Sequence, residues 1–547
     1  MVGLISFEMW WLVLVCVVSR VAGQASPWWN NAVYYRMLVD SFRDGDGDGL
    51  GDLRGAVKQI SYIRALGADA VILSPIFAKS KECTKPGTVD FSDIDQRYGN
   101  MESFNAFLEK AKKLELKVVM TLPLQSVSTD AEWFTSSADR VLGYEHRIVW
   151  KEGTVDSPPL PEQGIPTWTW HTTRNNYFAN FNNEALVNFC CENVAEAFSA
   201  AQCAWLKRGI AGVLLNPDFP KDLACGEQLL KKLVADAMSC ARSSNLDTPV
   251  ILVESSLKPE VAARYYGDGG VGANSIISRA LTYPSRSTSE MVLGFLASMV
   301  TTPLDVLPTW TTSSPNDSRT ASRYGTEVVD AVNLLALNLP GSAIIYQGDE
   351  LAAADTILAW ASGSTCWPNQ AAPWAAPFPW DDSITAGFTT GDPWLPLAPN
   401  FRYANAKTEF ANELSHVGVL RIAAALRKSP AFGPHVEIKR QNGAVLVLRW
   451  GSAGSLLLIA NLAKEPTEVE PARIPGIPHE MTVATTSTGS TFTIASHLAM
   501  DKSLKLAPGH TVLLAGGPRH CGGPGPVDKI ANKLSEGWQK INKYFSS

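Results

Sequence analysis

The amino-acid sequence predicts an α/β protein built on a (β/α)8 TIM barrel, with a domain inserted after the third strand and a C-terminal antiparallel β-sandwich. From Ala32, short apolar runs rich in β-forming residues alternate with amphipathic helical segments, which is typical of parallel strands covered by helices. This alternation gives eight strand candidates and is broken by one long irregular stretch after the third. From about Phe432 the helical segments stop, and short strands separated by turn residues follow.

The first part of the barrel covers residues 27–125. Its apolar runs predict strands, and residues with helical spacing predict helices between them. The predicted strands are Val33–Val39, Ala70–Leu73 and Lys117–Leu122, and the helices are Leu53–Leu66 and Ser103–Leu114.

Residues 126–183 break this rhythm, because they are rich in Trp, Pro, Asn and charge and show no clear periodicity. Structureless loops of this length are uncommon in compact domains, so an inserted domain is expected here. The alternation resumes over residues 184–431, apart from a Trp-, Pro- and Gly-rich excursion at 360–400. Its predicted strands are Val213–Leu215, Val250–Glu254, Ser275–Ser278, Asp305–Leu307 and Ala343–Tyr346. Its predicted helices are Ala185–Arg208, Glu227–Ser243, Glu290–Val300, Thr326–Leu337 and Glu409–Lys428.

The chain ends in three further units. Residues 432–515 form the β-sandwich, 516–526 read as a Gly/Pro linker, and 527–547 contain an amphipathic helix from Val527 to Phe545. The apolar stripe of this helix suits docking to a membrane surface or a partner, and it equally suits packing on its own protein.

The composition argues against a nucleic-acid-binding protein, and the N-terminal residues indicate where the protein is located. A net charge of −6 and a pI near 5.8 argue against nucleic-acid binding, which needs a basic excess. Residues 1–23 contain an apolar run from Met9 to Val18 that is short for a membrane span, which favours a secretory signal peptide over an uncleaved anchor at the plasma membrane. Eight cysteines follow, an even number that permits disulfides, with Cys203, Cys225 and Cys240 equally readable as buried free thiols.

The loop from Asp44 to Asp52 places carboxylates at alternate positions of a Gly-rich turn, which is what Ca²⁺ requires. An EF-hand would need Glu where Gly55 stands. The predicted structural calcium ligands are the side chains of Asp44, Asp46, Asp48 and Asp52 and the carbonyl of Leu50.

This loop and the strand before it, Tyr34–Phe42, resemble those of the α-amylase superfamily (glycoside hydrolase family 13), most of all its oligo-1,6-glucosidase, maltase and α-glucosidase members. The resemblance spans about Trp28 to Leu514 and rests on several motifs in the family's order. The further motifs are Leu73–Phe77, Ser92–Gly99, Pro377–Phe388 and Trp394–Pro396.

The resemblance implies three catalytic carboxylates at the ends of the barrel strands. Only the acid/base position retains its carboxylate, as Glu254, whereas the nucleophile position holds Asn216 and the sugar-holding position Asn316. Neighbouring carboxylates, Asp218 and Asp317, lie one or two residues away, a shift of several Å. Other positions where the family's polar residues are missing are Thr121, Gln125, Ser126, Thr88, Val89, Leu214 and Ala375.

These departures predict a catalytically inactive, α-glucosidase-like binding or accessory protein, similar to the heavy chains of heteromeric amino-acid transporters. That similarity rests on the run Pro315–Arg323 and implies a protein partner such as a transporter light subunit. The short leader, and Cys83 as the first cysteine after it, depart from the heavy-chain pattern. Two alternatives stay open: an active secreted α-glucosidase, and a non-hydrolytic protein that binds sugar weakly. Asn316-Asp-Ser318 is also an N-glycosylation sequon.

Overall fold

A computed structural model describes residues 14–16, 27–162, 167–219, 222–267, 271–282, 287–361, 372–451 and 453–518. Its centre is a closed barrel of eight parallel strands, in which each strand pairs with the next and the last pairs with the first. The predicted fold is therefore confirmed. In chain order the barrel strands are Val33–Met37, Ala70–Leu73, Lys117–Leu122, Gly212–Leu215, Val250–Glu254, Ser275–Ser278, Thr309–Thr311 and Ser342–Tyr346.

Two layers of apolar packing hold the barrel. A small buried cluster takes residues such as Tyr34, Val119 and Leu214 from seven of the eight strands and fills the interior. A larger cluster lies between the strands and the surrounding helices. The helices are Val39–Phe42, Leu53–Ala65, Met101–Lys113, Glu132–Ala138, Glu192–Arg208, Leu223–Ser243, Pro259–Ala262, Thr288–Val300, Thr320–Tyr324, Val329–Asn338, Ala406–Phe410 and His416–Arg427.

Three predicted elements differ from the structure. The helix predicted at Ala185–Arg208 begins only at Glu192, because Ala185 and Leu186 pair with Val127 and Ser126 in a strand of the insertion. The strand predicted at Asp305–Leu307 is wrong: the Val306 amide closes a turn onto the Pro303 carbonyl, and the strand begins only after Pro308. The helix predicted as Glu409–Lys428 is two helices. The second begins where the Ser415 hydroxyl caps the Gly418 amide, a side-chain cap that competes with continuous helix.

The insertion folds onto the end of the barrel as a small antiparallel sheet with one helix, Glu132–Ala138. Its aromatic side chains pack on one another, including Phe134, Trp150 and Phe178. A separate two-stranded ribbon follows the second barrel strand. The sheet strands are Ser126–Val127, Trp150–Lys151, Thr167–His171, Asn176–Phe181 and Glu184–Leu186, and the ribbon strands are Phe77–Lys79 and Thr88–Ile94.

The C-terminal β domain consists of one seven-stranded antiparallel sheet and a two-stranded ribbon that shares its apolar core. The edge strand Leu14–Cys16 comes from the predicted leader and pairs with Val436–Ile438. The other sheet strands are His435–Gln441, Ala444–Gly451, Gly454–Asn461, Glu480–Thr486, His497–Ala499 and Thr511–Gly516, and the ribbon strands are Thr467–Val469 and Leu504–Leu506.

Disulfide bonds fasten the helices beside the fourth barrel strand. Cys190 bonds to Cys225 and Cys203 to Cys240, so the alternative of free thiols at these positions is excluded, and Cys83 is also disulfide-bonded. Such bonds fit an oxidising, extracellular compartment. Among the helices that the structure describes, none is both long and apolar enough to cross a membrane. The predicted helix Val527–Phe545 and most of the linker lie outside the described residues.

Candidate active site

Glu254 stands at the C-terminal end of the fifth barrel strand, where barrel enzymes place catalytic residues. Both of its oxygens accept hydrogen bonds from Arg36 of the first strand, Nη1 to Oε1 at 2.7 Å and Nη2 to Oε2 at 2.8 Å. Only 5% of the Arg36 side chain and 14% of the Glu254 side chain are exposed. Burial alone would lower the pKa of Arg36, but the ion pair reverses this and raises it. The pair fixes Glu254 toward the first strand.

Arg36 was not among the site residues predicted from the sequence. Its position inside the apolar run Val33–Met37 could have indicated a buried ion pair, because a buried Arg needs a charged partner.

Asn216 follows the fourth barrel strand, and its side chain hydrogen-bonds to the backbone of the same loop. Its side-chain oxygen accepts from the Asp218 amide at 3.0 Å, and the Gln125 side chain donates to the Asp218 carbonyl at 2.8 Å. The carboxamide carries no negative charge. Asn216 therefore positions backbone here and offers no nucleophile.

Asp218 is buried and saturated with hydrogen bonds. Oδ1 accepts from the hydroxyls of Ser255 (2.7 Å) and Tyr265 (3.0 Å), and Oδ2 accepts from the amide (2.7 Å) and hydroxyl (2.9 Å) of Ser256. These bonds tie the loop after strand four to the loop after strand five. Asp218 thus has no free oxygen to attack a substrate.

The loop after the seventh strand is likewise internally bonded. Asp317 pairs with Arg279 at 2.6 Å and accepts from the Ser314 hydroxyl at 2.6 Å. Asn316 beside it is exposed. A glycan could attach there without displacing packed atoms, although glycosylation stays a prediction.

The remaining positions named from the resemblance lie in different surroundings. Leu214 belongs to the barrel interior, and Ala375 is buried, with its carbonyl accepting from Ser41. The Thr121 hydroxyl is buried without a hydrogen-bond partner among the described residues. Three of the other positions, Thr88, Val89 and Ser126, line the cavity described next, whereas Leu214, Ala375 and Thr121 are not among its lining residues.

A cavity of about 900 Å³ opens beside Arg36, between the ends of the first three barrel strands and the insertion. Its wall is strongly charged, with Arg36, Asp40, Lys79, Asp95, Arg97 and Glu184 among the lining residues. The volume lies in the range of small-molecule sites.

Most of these charges are paired. Arg97 holds both oxygens of Asp95 at 2.6 Å; burial would raise the pKa of Asp95, but its bonds to Arg97 lower it. Burial would lower the pKa of Lys79, but the nearby Tyr98 and Asp40 raise it. Glu184 accepts from the Ser126 hydroxyl at 2.5 Å, and its burial raises its pKa.

The predicted calcium loop brings the carboxylates of Asp44, Asp46 and Asp48 within 4.8 Å of one another. Asp44 also accepts from the amides of Asp46, Gly47 and Gly49 and from the Thr389 hydroxyl. Asp52 instead caps the helix Leu53–Ala65, accepting from the amides of Gly55 and Gly45. Three of the predicted carboxylates thus converge, and they are hard oxygen ligands that fit Ca²⁺.

The sequence matches the family model described as "Alpha amylase, catalytic domain" over residues 36–217 and 294–433, together more than half of the chain. The match begins within the first barrel strand and includes strands two to four and the insertion.

Named relatives cover most of the chain. Maltase A1 of Drosophila melanogaster is 25% identical, over 87% of this chain and 95% of its own. Salivary alpha-glucosidase of Anopheles gambiae is 26% identical, over 82% and 86%. Trehalose-6-phosphate hydrolase of Escherichia coli (strain K12) is 24% identical, over 80% and 91%.

Solved structures share the fold. The alpha-glucosyl transfer enzyme XgtA superposes with a TM-score of 0.75 at 24% identity, and the trehalulose synthase MutB from Pseudomonas mesoacidophila MX-45 with 0.73 at 20%. Both comparisons cover 90% of this chain and all of the other.

The prediction that this chain is not an enzyme is wrong, because its named relatives are maltases and α-glucosidases. That prediction rested on single side chains such as Asn216 and Ala375, whereas the similarity to these relatives spans most of the chain. The narrower resemblance to transporter heavy chains is not confirmed. The chain belongs to the α-amylase family.

Proposed function

We propose that this protein hydrolyses α-glucosidic bonds at the C-terminal end of its barrel, where Glu254 pairs with Arg36, a residue that lines the cavity. The observation that carries the proposal is Glu254, a carboxylate at the end of the fifth barrel strand, held by both oxygens and still 14% exposed. The maltases and α-glucosidases among its relatives support the same reaction class. The cavity volume suits a disaccharide.

The side chains present favour direct attack by water. A carboxamide cannot form a glycosyl ester, so Asn216 does not support a covalent intermediate. In the proposed step one Glu254 oxygen exchanges its hydrogen bond from Arg36 for a proton taken from water. The water oxygen bonds to the anomeric carbon, and the bond to the leaving oxygen breaks. Solvent water donates a proton to that oxygen, which completes the reaction. One displacement inverts the anomeric centre, so β-glucose is the expected first product.

The assay uses the purified full chain with maltose and with 4-nitrophenyl α-glucoside. Glu254→Gln should lower kcat about 10²- to 10⁴-fold, since it removes the base while keeping the shape. Glu465→Gln, at an exposed side chain of the C-terminal domain, is the matched control and should leave turnover unchanged. Wild-type protein without turnover, or an unaffected Glu254→Gln variant, would overturn the proposal.

The stereochemistry gives an independent readout. Proton NMR of the first turnovers should show β-glucose before mutarotation. Release of α-glucose first would show two displacements and would contradict the single-step mechanism.

We further propose that the loop Asp44–Asp52 binds Ca²⁺ as a structural ion. Burial and the neighbouring carboxylates raise the pKa of Asp48, as expected where acidic groups crowd together. The ion would supply compensating charge and fix the loop against the segment after the eighth strand, where the Asp44 amide donates to the Phe388 carbonyl at 3.0 Å.

Chelation should lower the melting temperature, and Ca²⁺ should restore it while Mg²⁺ does not, because Mg²⁺ demands a tighter octahedral site. Asp46→Asn should abolish the calcium response, while Asp392→Asn, an exposed carboxylate nearby, should keep it. An identical response in both variants would contradict the assignment.

We also propose that the protein is secreted and that it binds a protein partner. Disulfides at Cys190–Cys225 and Cys203–Cys240 support an extracellular location. Co-purification of a partner with the full chain, lost on truncation after Gly516, would support docking by the C-terminal segment; a full chain that purifies alone would count against it.

A further inference from the structure

The strand His435–Gln441 of the C-terminal sheet accepts a further strand along its outer side. Its inner side pairs with Ala444–Gly451, and its outer side pairs antiparallel with Leu14–Cys16, which lies opposite Val436–Ile438. Leu14–Cys16 belongs to the predicted leader, so cleavage before about Gln24 would uncover this edge. An uncovered edge presents backbone N–H and C=O groups without ladder partners, which makes it a template for pairing with another chain.

Two opposite charges lie on this edge strand with one residue between them. Lys439 Nζ lies 2.9 Å from Glu437 Oε1, and the two side chains are 6% and 4% exposed with the leader strand in place. Residues two apart on a strand point to the same face, where they meet the side chains of a neighbouring strand. Lysine on an edge strand opposes pairing with most other strands. A strand that presents the opposite charges in reverse order would instead be attracted.

A second copy of the same strand presents the charges in that order. In an antiparallel pair related by a twofold axis through Ile438, Glu437 of each copy lies opposite Lys439 of the other. The same axis overlaps the whole strand, because His435 falls opposite Gln441. Moving the axis by one residue in either direction places Glu437 opposite Glu437 or Lys439 opposite Lys439. Like charges directly opposite are destabilising, so the charges select the register of full overlap.

We propose that the mature protein forms a symmetric dimer in which the strands His435–Gln441 of two copies pair antiparallel about Ile438 and join the two C-terminal sheets. The inference rests on removal of the leader and is independent of the proposed hydrolysis. One strand per copy buries little surface, so a reversible dimer with a dissociation constant of roughly micromolar order is expected.

The experiment uses wild-type protein purified from the culture medium. Sedimentation velocity from about 1 to about 300 µM should show a reversible monomer–dimer equilibrium. Lys439→Glu places two pairs of like charges across the twofold axis and should weaken the dimer about 10-fold or more, and Glu437→Lys should do the same. Lys505→Glu makes the same charge change at an exposed strand lysine of this domain, so it is the matched control and should dimerise like wild type.

Mixing the two single variants tests the register. In the mixture, two lysines on one copy face two glutamates on the other, so a heterodimer should form although each variant alone is mostly monomeric. Hydrogen exchange of the amides in His435–Gln441 should slow on mixing. The double variant Glu437→Lys/Lys439→Glu should recover the wild-type dissociation constant within about 3-fold, because both cross-strand pairs return. A variant that had only misfolded would not be rescued by mixing.

Wild-type protein that remains monomeric at the highest concentration would overturn the dimer. Secreted protein that keeps Met1 would retain the covering strand and would overturn it as well. Undiminished dimerisation of both single variants, or no heterodimer on mixing, would exclude this pairing of strands. Turnover of maltose is measured separately, and none of these outcomes bears on it.

Discussion

Glu350, just after the eighth barrel strand, is completely buried and accepts hydrogen bonds from the hydroxyls of Tyr35 (2.8 Å) and Tyr62 (3.0 Å) and from the Gly348 amide (2.8 Å). Burial raises its pKa from 4.5 to about 7, because these bonds only partly replace water around the charge. One side chain thus couples barrel stability to pH.

Folded protein binds this proton more tightly than unfolded protein, so the free energy of unfolding should fall as pH rises from about 4.5 to about 7. Glu350→Gln should remove this slope, which amounts to about 3 kcal/mol. Denaturant unfolding of both proteins near pH 5 and pH 8 measures it. Glu465→Gln should retain the wild-type slope, and the same slope in Glu350→Gln would contradict the prediction.

At the scale of elements, the helix His416–Arg427 joins the barrel to the C-terminal sheet. His416 Nδ1 lies 2.8 Å from Asp330 Oδ1, and Asp330 Oδ2 accepts from the amide (2.8 Å) and hydroxyl (3.2 Å) of Thr488 in the C-terminal domain. Burial alone would lower the pKa of His416, but Asp330 and the nearby Glu409 raise it. The junction is therefore strongest when His416 is protonated.

His416→Ala should destabilise the protein by roughly 2 kcal/mol below about pH 6.5, where the imidazolium is charged in both folded and unfolded chains. The loss should shrink as pH rises through the raised pKa of His416, since the ion pair then disappears from wild type as well. Unfolding free energies across this range measure the effect. His479→Ala, at an exposed histidine, should show no such trend. A loss independent of pH would indicate packing alone.

At the scale of the whole molecule, the inserted domain and the barrel together line the cavity, while the C-terminal sheet contacts the barrel helices Thr288–Val300 and Val329–Asn338. The cavity takes residues from barrel strand one, the ribbon Phe77–Ile94 and the inserted strand at Glu184. The shape of the cavity therefore depends on how the insertion packs on the barrel, and the Ser126–Glu184 hydrogen bond lies at that contact.

The secreted protein should begin near Gln24, because the apolar run Met9–Val18 is short and ends in the small residues Ala22 and Gly23. The strand Leu14–Cys16 would then be absent, leaving His435–Gln441 as the sheet edge. N-terminal sequencing and intact mass of protein from the culture medium measure this. Protein that keeps Met1 would indicate an anchor and contradict cleavage.

The sequence by itself determined the barrel, the insertion, the C-terminal β domain and the acidic loop Asp44–Asp52. Those features depend on local periodicity and on turn residues, and both can be recognised directly in the amino-acid sequence. The sequence also placed Asn216 after the fourth predicted barrel strand and Glu254 at the end of the fifth.

Only the tertiary structure decided which side chains meet. Arg36 and Glu254 are 218 residues apart, and Ser126 and Glu184 are 58 apart, so no local pattern could pair them. The tertiary structure likewise showed that both carboxylate oxygens of Asp218 already accept hydrogen bonds, four in all. Long-range contacts arise from barrel closure and from docking of the insertion, and these set the charge and burial on which reactivity depends.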